Sequence, residues 1–146
     1  MPRSILRVLV LALIVLGVAG SSVAGEDGAF VVIVNPQSSV DSVDRDFLRD
    51  AYLKKTTEWG SGETIRPIDL TAKYAARDRF TEQVVRKTPA QLKTYWNQQI
   101  FSGKGVPPPE AEAPADVIEY VLANKGAVGY IPADVDAGKA KVIRIR

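Results

Sequence analysis

The sequence lacks two residue types that carry much of protein chemistry: its 146 residues include no cysteine and no histidine. Without cysteine there can be no disulfide bond, so the fold depends on its core alone. Without histidine the chain cannot form a Ser-His-Asp or Cys-His catalytic group, and it lacks the commonest metal ligand. The composition therefore predicts a protein with no metal and no cofactor.

Long apolar runs are scarce, and the clearest one, at 8–18, lies close to the N-terminus. Arg3 and Arg7 precede it, and Ser22-Val23-Ala24 supplies the small residues that signal peptidase prefers. This pattern predicts a secretory signal peptide at 1–24, cleaved after Ala24. The run is short for a membrane span, which needs roughly 20 residues, although a retained N-terminal anchor is the alternative interpretation. No cysteine follows it, which excludes a lipoprotein anchor.

Once that segment is removed, the chain also lacks an excess of charge of either sign. The chain has 19 basic and 17 acidic residues, and two of the basic ones are Arg3 and Arg7. The predicted mature domain, 25–146, therefore has 17 of each. We expect no nucleic-acid binding through bulk charge. The length suits one domain with one core, which we expect in the periplasm with no membrane span after cleavage.

The remaining pattern alternates strands with helices, which indicates an α/β fold with a largely parallel or mixed sheet. Thr88 and Gln91 form a predicted capping box around Pro89 at a helix start, and Pro67 suggests an edge strand. We expect strands at 29–34, 65–69, 127–131 and 142–145, and helices at 44–53, 74–87, 89–100 and 115–124.

Aromatic residues fall at two places that could be core or ligand site. Trp59 lies in a turn, where it is more typical of a lid on the core than of a ligand platform. Leu92, Tyr95, Trp96 and Ile100 share one face of a predicted helix. That spacing predicts a buried stripe, with an aromatic ligand box as the alternative.

Glycine and proline mark three further positions. Gly126 falls just past a predicted helix, as a left-handed C-cap requires. Gly129 lies within a predicted strand and indicates close approach by another backbone or a ligand. The loop at 103–109, with its three consecutive prolines, predicts a stiff structural connection, with docking of a partner as the alternative.

Several of these segments together resemble a known family. They are the Trp59 turn, Phe101-Ser-Gly-Lys-Gly and, above all, the closing Gly126-Ala-Val-Gly-Tyr130. The chain resembles the phosphate-binding proteins of ABC transporters, in the type 2 periplasmic binding protein superfamily, and is most similar to their short single-lobe relatives. The resemblance implies one α/β lobe with a central mixed or parallel sheet flanked by helices.

The resemblance also implies where an anion would bind, at the junction of a strand with a helix N-terminus. Family members carry an arginine at the strand end and Ser-Gly-Thr at the helix start, whereas this chain has Leu70 and Tyr74-Ala75-Ala76. A solvated ion pair of Arg77 with Asp78 or Asp69 is the alternative. The candidate ligands that remain are the side chains of Thr71, Lys73 and Arg77 and the backbone N–H groups of Ala75 and Ala76.

Three functions are compatible with these residues. The first is a solute-binding-like protein that binds phosphate or another small anion weakly, or across a cleft completed by a homodimer or a protein partner. The second is a protein-interaction module that has lost ligand binding. The third is an enzyme using carboxylates of Asp44, Glu58 and Asp69, but no spacing singles out a pair, so we expect no enzyme.

Overall fold

The computed structural model describes residues 27–146, and the signal peptide predicted at 1–24 lies outside this part of the chain. Within residues 27–146, seven strands and four α-helices follow one another, and α2 continues directly into a π-helical turn, Thr81–Val85. The elements are β1 (Phe30–Val34), β2 (Ser42–Val43), α1 (Arg45–Tyr52), β3 (Arg66–Pro67), β4 (Asp69–Leu70), α2 (Ala75–Phe80), α3 (Pro89–Phe101), β5 (Glu110–Ala111), α4 (Pro114–Ala123), β6 (Ala127–Pro132) and β7 (Lys141–Ile145).

Five strands form a mixed sheet in the order β2-β7-β1-β6-β3. The central strand β1 is antiparallel to both β6 and β7, whereas β2 and β3 pair in parallel at the two edges. The mixed sheet agrees with the sequence-based expectation. Pro67 lies in the edge strand β3, where its missing N–H costs no hydrogen bond to a neighbouring strand.

Helices cover both faces of this sheet, as the side chains of β6 show. Gly129 faces Val117 and Val121 of α4, whereas Tyr130 packs on Phe80 of α2 with ring centroids 3.9 Å apart. Successive side chains of a strand point to opposite faces, so α4 and α2 lie on opposite sides. The flanking helices of the predicted fold class are therefore present.

The two glycines of the closing motif both allow close packing. A Cβ atom on Gly129 would lie 2.6 Å from Val117 Cγ1, so the predicted close approach is correct. The predicted left-handed C-cap at Gly126 is wrong, because its φ is not positive. A Cβ there would instead lie 1.9 Å from the carbonyl oxygen of Thr64. The chain before β3 passes too close for any side chain.

Trp59 is buried against the core, as predicted for a lid. Its ring stacks on Phe47 with centroids 5.7 Å apart, and its Nε1 donates a hydrogen bond of 3.0 Å to the carbonyl of Gly126. The turn is thereby fixed to the residue that precedes β6.

Helix α3 begins as predicted but packs differently. The N–H of Thr88 donates to Gln91 Oε1 at 2.9 Å and the N–H of Gln91 donates to Thr88 Oγ1 at 3.1 Å, which completes the capping box. The expected buried stripe is wrong in part, because Trp96 alone is buried. Ile100 is 51% exposed and Phe101 is 96% exposed. Leu92 and Tyr95 are partly buried against the core, whereas Ile100 lines an open groove.

The helix predicted at 74–87 is shorter and irregular. Its α-helical part ends at Phe80, and the π-helical turn then closes with a hydrogen bond of 2.8 Å from the N–H of Arg86 to the carbonyl of Thr81. Arg86 ends the turn in the left-handed conformation, with φ of 56°. Among the described residues there is no helix with the length and apolar character needed to cross a membrane.

Candidate functional site

Two short strands outside the main sheet place two carboxylates side by side. β4 and β5 pair in parallel, with Asp69 opposite Glu110. Hydrogen bonds of 2.9 Å from Asp69 N to the carbonyl of Pro109 and from Thr71 N to that of Ala111 hold them together. Paired residues on adjacent strands point to the same side, so both carboxylates can reach one cation.

That cation is Arg77, in the first turn of α2. Its Nη2 lies 3.3 Å from Asp69 Oδ2, and its Nη1 lies 2.9 Å from Glu110 Oε2. Nη1 also donates a hydrogen bond of 2.6 Å to the carbonyl of Leu70. The Arg77 side chain is only 17% exposed, like Asp69 at 14%, whereas Glu110 is 54% exposed. One inner and one outer carboxylate therefore bind the same guanidinium.

The inner carboxylate is held by further groups. The Tyr130 hydroxyl donates a short hydrogen bond to Asp69 Oδ1, and the N–H of Leu70 donates to the same oxygen at 3.2 Å. Tyr130 in turn is fixed by its stacking on Phe80. Asp69 is thus a structural partner that orients Arg77 from behind.

The electrostatics of this cluster follow from burial. Burial raises the pKa of the Asp69 carboxyl, although Arg77 and the Tyr130 hydroxyl both pull it down. Burial, and then the neighbouring Asp69 carboxylate, raise the pKa of the Tyr130 hydroxyl. Burial opposes the charge of Arg77, but the carboxylates of Asp69 and Glu110 help to raise its pKa. Arg77 is therefore a permanent cation at this position.

Arg77 and Glu110 lie in the wall of a groove of about 970 Å³ between α2 with its π-helical turn and α3. That volume is at the upper end of the range for small-molecule sites, roughly 300–1,000 Å³. Polar and charged groups line it near Arg77, along α2 and the π-helical turn, and at Gln91, Lys93 and Asn97 of α3. The apolar wall of the groove is formed by Pro89, Leu92, Trp96, Ile100, Pro107 and Pro108.

The residues predicted from the sequence as ligands are not all in one place. Arg77 lines the groove, whereas Ala75 and Ala76 line a separate cavity of about 480 Å³ together with Gly28 and Asp134. Lys73 is exposed and lies 3.2 Å from Glu112.

Thr71 contributes its N–H to the pairing of β4 with β5. At the start of α2, Tyr74 occupies the N-cap position and its side chain makes no capping hydrogen bond. The chain at Gly28 packs against this end, since a Cβ there would lie 2.7 Å from the carbonyl oxygen of Ala75. The helix start and Arg77 are therefore two separate candidate positions rather than one.

The carboxylates considered for catalysis are also dispersed. Asp44 lies 3.4 Å from Nη2 of Arg146, and Glu58 bridges to Thr64 in an isolated strand contact. Neither residue lines the groove that holds Asp69. The described residues contain no group of three or more His, Cys, Asp or Glu that could hold a metal ion.

Sequence reasoning missed Glu110 as a partner of Arg77 and Tyr130 as a partner of Asp69. Tyr130 was visible in the closing motif, but its role depends on strand β6 carrying its ring over Phe80. Glu110 follows three prolines and gives no signal of its own, because its position depends on the pairing of β5 with β4.

No protein-family model and no curated protein matches this sequence. Solved structures do match over 81–82% of the chain. A candidate phosphate ABC transporter substrate-binding protein from Clostridium perfringens, with bound phosphate, has a TM-score of 0.62 at 19% identity. An ABC-type phosphate transport receptor from Vibrio cholerae has a TM-score of 0.62 at 21% identity, and PstS from Borrelia burgdorferi has a TM-score of 0.60 at 12% identity.

The chain spans about half the length of these structures, 47%, 48% and 47% respectively. It has the fold of a single lobe of a periplasmic binding protein, as the sequence resemblance implied.

Proposed function

We propose that this chain is a secreted, periplasmic, non-enzymatic binding module that holds a small anion, such as phosphate, at Arg77. Its fold is that of half a phosphate-binding protein, and one of the matching structures carries phosphate. All of the matching proteins described above are named for phosphate transport or as PstS, and none is named as an enzyme.

The contact between Arg77 and Glu110 carries this proposal. Arg77 is fixed from behind by Asp69 and the Leu70 carbonyl, and its remaining Nη1 hydrogen is directed at a half-exposed carboxylate. The Glu110 carboxylate oxygen at 2.9 Å from Nη1 supports the proposal, because a ligand oxyanion has the same hydrogen-bonding chemistry. Glu110 is the exposed member of this pair, and surface ion pairs contribute only about 0–1 kcal/mol, so a ligand oxyanion can displace Glu110 at a small cost.

We expect weak binding. Charge-assisted hydrogen bonds contribute roughly 1.5–3 kcal/mol each, and one arginine with one or two further donors gives a dissociation constant on the order of 1 mM. The start of α2 lacks the serine and threonine hydroxyls of the similar family, so it adds little.

The test is calorimetric titration of the purified protein with phosphate at low salt, with sulfate for comparison. Arg77→Gln should abolish the heat, whereas Arg66→Gln, an equal charge change at an exposed edge-strand residue, should leave it unchanged. Arg77→Gln leaves the Asp69 carboxylate without its partner. The double variant Asp69→Asn, Arg77→Gln removes both charges and separates loss of binding from loss of folding.

No heat up to about 10 mM phosphate, or equal binding by the folded double variant, would contradict the proposal.

A second candidate function, association with another copy of the chain, rests on the C-terminal end of α3 and the loop that follows it. Ile100, Phe101 and Val106 are 51%, 96% and 58% exposed and lie close together in sequence. Contiguous exposed apolar surface is typical of interaction sites, so these three side chains are the candidates for such a contact. Sedimentation equilibrium should then show a dimer that Phe101→Ser dissociates. A monomer at protein concentrations up to 0.1 mM, about a hundred times a micromolar dissociation constant, would exclude this function.

A further inference from the structure

We infer that the ligand is an organic oxyanion, with its charged head at Arg77 and an apolar body along α3. This inference rests on the proposed function and names the class of ligand for the same site. It follows from the composition of the groove on the side away from Arg77.

The charged end of the groove has room for one anionic head. Arg77 Nη1 gives one hydrogen to the Leu70 carbonyl and the other to Glu110, while Nη2 faces Asp69. Glu110 is the partner that can leave, because its side chain is 54% exposed and can turn into solvent. Asp69 is held by Tyr130 and the Leu70 N–H and stays in place.

One wall of the groove, away from Arg77, is apolar. Leu92, Trp96 and Ile100 of α3 face Pro107 and Pro108 of the following loop, and Ile100 is half exposed there. A groove of about 970 Å³ is far larger than one tetrahedral anion requires. An inorganic ion would leave this apolar surface in water, whereas an aryl or alkyl group attached to the anion would cover it.

The experiment compares two probes with the same charged head. Inorganic phosphate and phenyl phosphate are titrated into the purified protein under identical conditions. We expect phenyl phosphate to bind at least about tenfold more tightly, because its ring buries apolar surface on α3.

Matched variants locate the two ends of the ligand. Ile100→Ser should reduce the affinity for phenyl phosphate about threefold or more and leave that for inorganic phosphate unchanged. Val142→Ser is the control, because Val142 is 52% exposed but lies on β7, outside the groove. Glu110→Gln should tighten binding of both probes about threefold, since it removes the competing charge from Arg77.

The outcomes separate this inference from the proposed function. Binding of inorganic phosphate with no gain for phenyl phosphate would overturn the inference and leave the anion site intact. An equal loss in Ile100→Ser and Val142→Ser would also overturn it, because the ring would then not lie on α3. If neither probe binds to the wild type or to Glu110→Gln, both proposals are wrong.

Discussion

At the scale of single residues, the buried tyrosines give a direct test of the core beneath the site. Burial raises the pKa of Tyr52 well above its ordinary value and also raises that of Tyr130, where the Asp69 carboxylate adds to the effect. The Tyr52 hydroxyl donates to the carbonyl of Ile68 at 2.9 Å. Both phenols should therefore remain protonated in the folded protein where an exposed tyrosine ionises, near pH 10.

The first prediction concerns alkaline titration. Above about pH 10 the unfolded chain releases protons that the native Tyr52 and Tyr130 retain, so the free energy of unfolding should fall as the pH rises. Absorbance at 295 nm should show that at least two of the five tyrosines ionise only on unfolding. Tyr52→Phe should remove one tyrosine from that late step. Reversible ionisation of all five near pH 10 in the folded protein would contradict this.

The second prediction concerns Gly126. Its Cβ would lie 1.9 Å from the Thr64 carbonyl oxygen, and its own carbonyl accepts from Trp59 Nε1. Gly126→Ala must displace backbone and should lower the free energy of unfolding by about 3 kcal/mol, measured by urea denaturation. Gly60→Ala is the control, with open space around the added methyl, and should change it by less than about 1 kcal/mol. Equal effects of the two variants would contradict the packing described here.

How far single residues could be predicted depended on the range of their contacts. Arg77 could be chosen as a candidate ligand from its place at a strand-to-helix junction alone. Its ion pair with Asp69 could also be considered from the sequence, because the two residues are only eight positions apart. Glu110 lies 33 residues beyond Arg77, so its role depends on how β5 pairs. The prediction that Gly126 forms a left-handed C-cap was wrong, because a helix-end pattern does not show which other segment of the chain passes nearby.

At the scale of elements, α3 is the helix least attached to the body of the domain. It has a complete capping box at its N-terminus and one buried side chain, Trp96. The cap was predictable because Thr88, Pro89 and Gln91 act locally. The burial of its apolar stripe was not, because periodicity shows which face is apolar but not whether another element covers it.

The third prediction is that α3 opens locally. Few buried contacts hold it, so its amide protons should exchange faster than those of β1 and β6 in native-state hydrogen exchange. Thr88→Ala removes the cap at a cost of about 1 kcal/mol and should speed exchange in α3 about fivefold, with β1 and β6 unchanged. Thr94 is exposed within the same helix, and Thr94→Ala should slow amide exchange in α3 slightly, because alanine has a higher helix propensity than threonine. Exchange of α3 as slow as that of β1 would show that the helix is not a separate unit.

At the scale of the whole molecule, the fold class could be predicted, whereas the grouping of residues around Arg77 could not. Continuous apolar strands and capped helices specified an α/β lobe with a mixed sheet, and the solved structures match that lobe over about four-fifths of the chain. The candidate ligands lie close together in sequence, yet Arg77 lines one cavity and Ala75 and Ala76 line another. Thr71 and Lys73 line neither of these two cavities. Only three-dimensional packing at Gly28 and Glu110 determines this division.

The measurement that tests the central claim most directly is a phosphate titration followed by ¹H–¹⁵N NMR. The claim is that an anion replaces Glu110 at Arg77. It predicts saturable shifts of the Arg77 guanidinium Nε–H and of the Leu70 and Glu110 amides, with a dissociation constant on the order of 1 mM. Shifts confined to the amides of Ala75 and Ala76, or none at all, would contradict it.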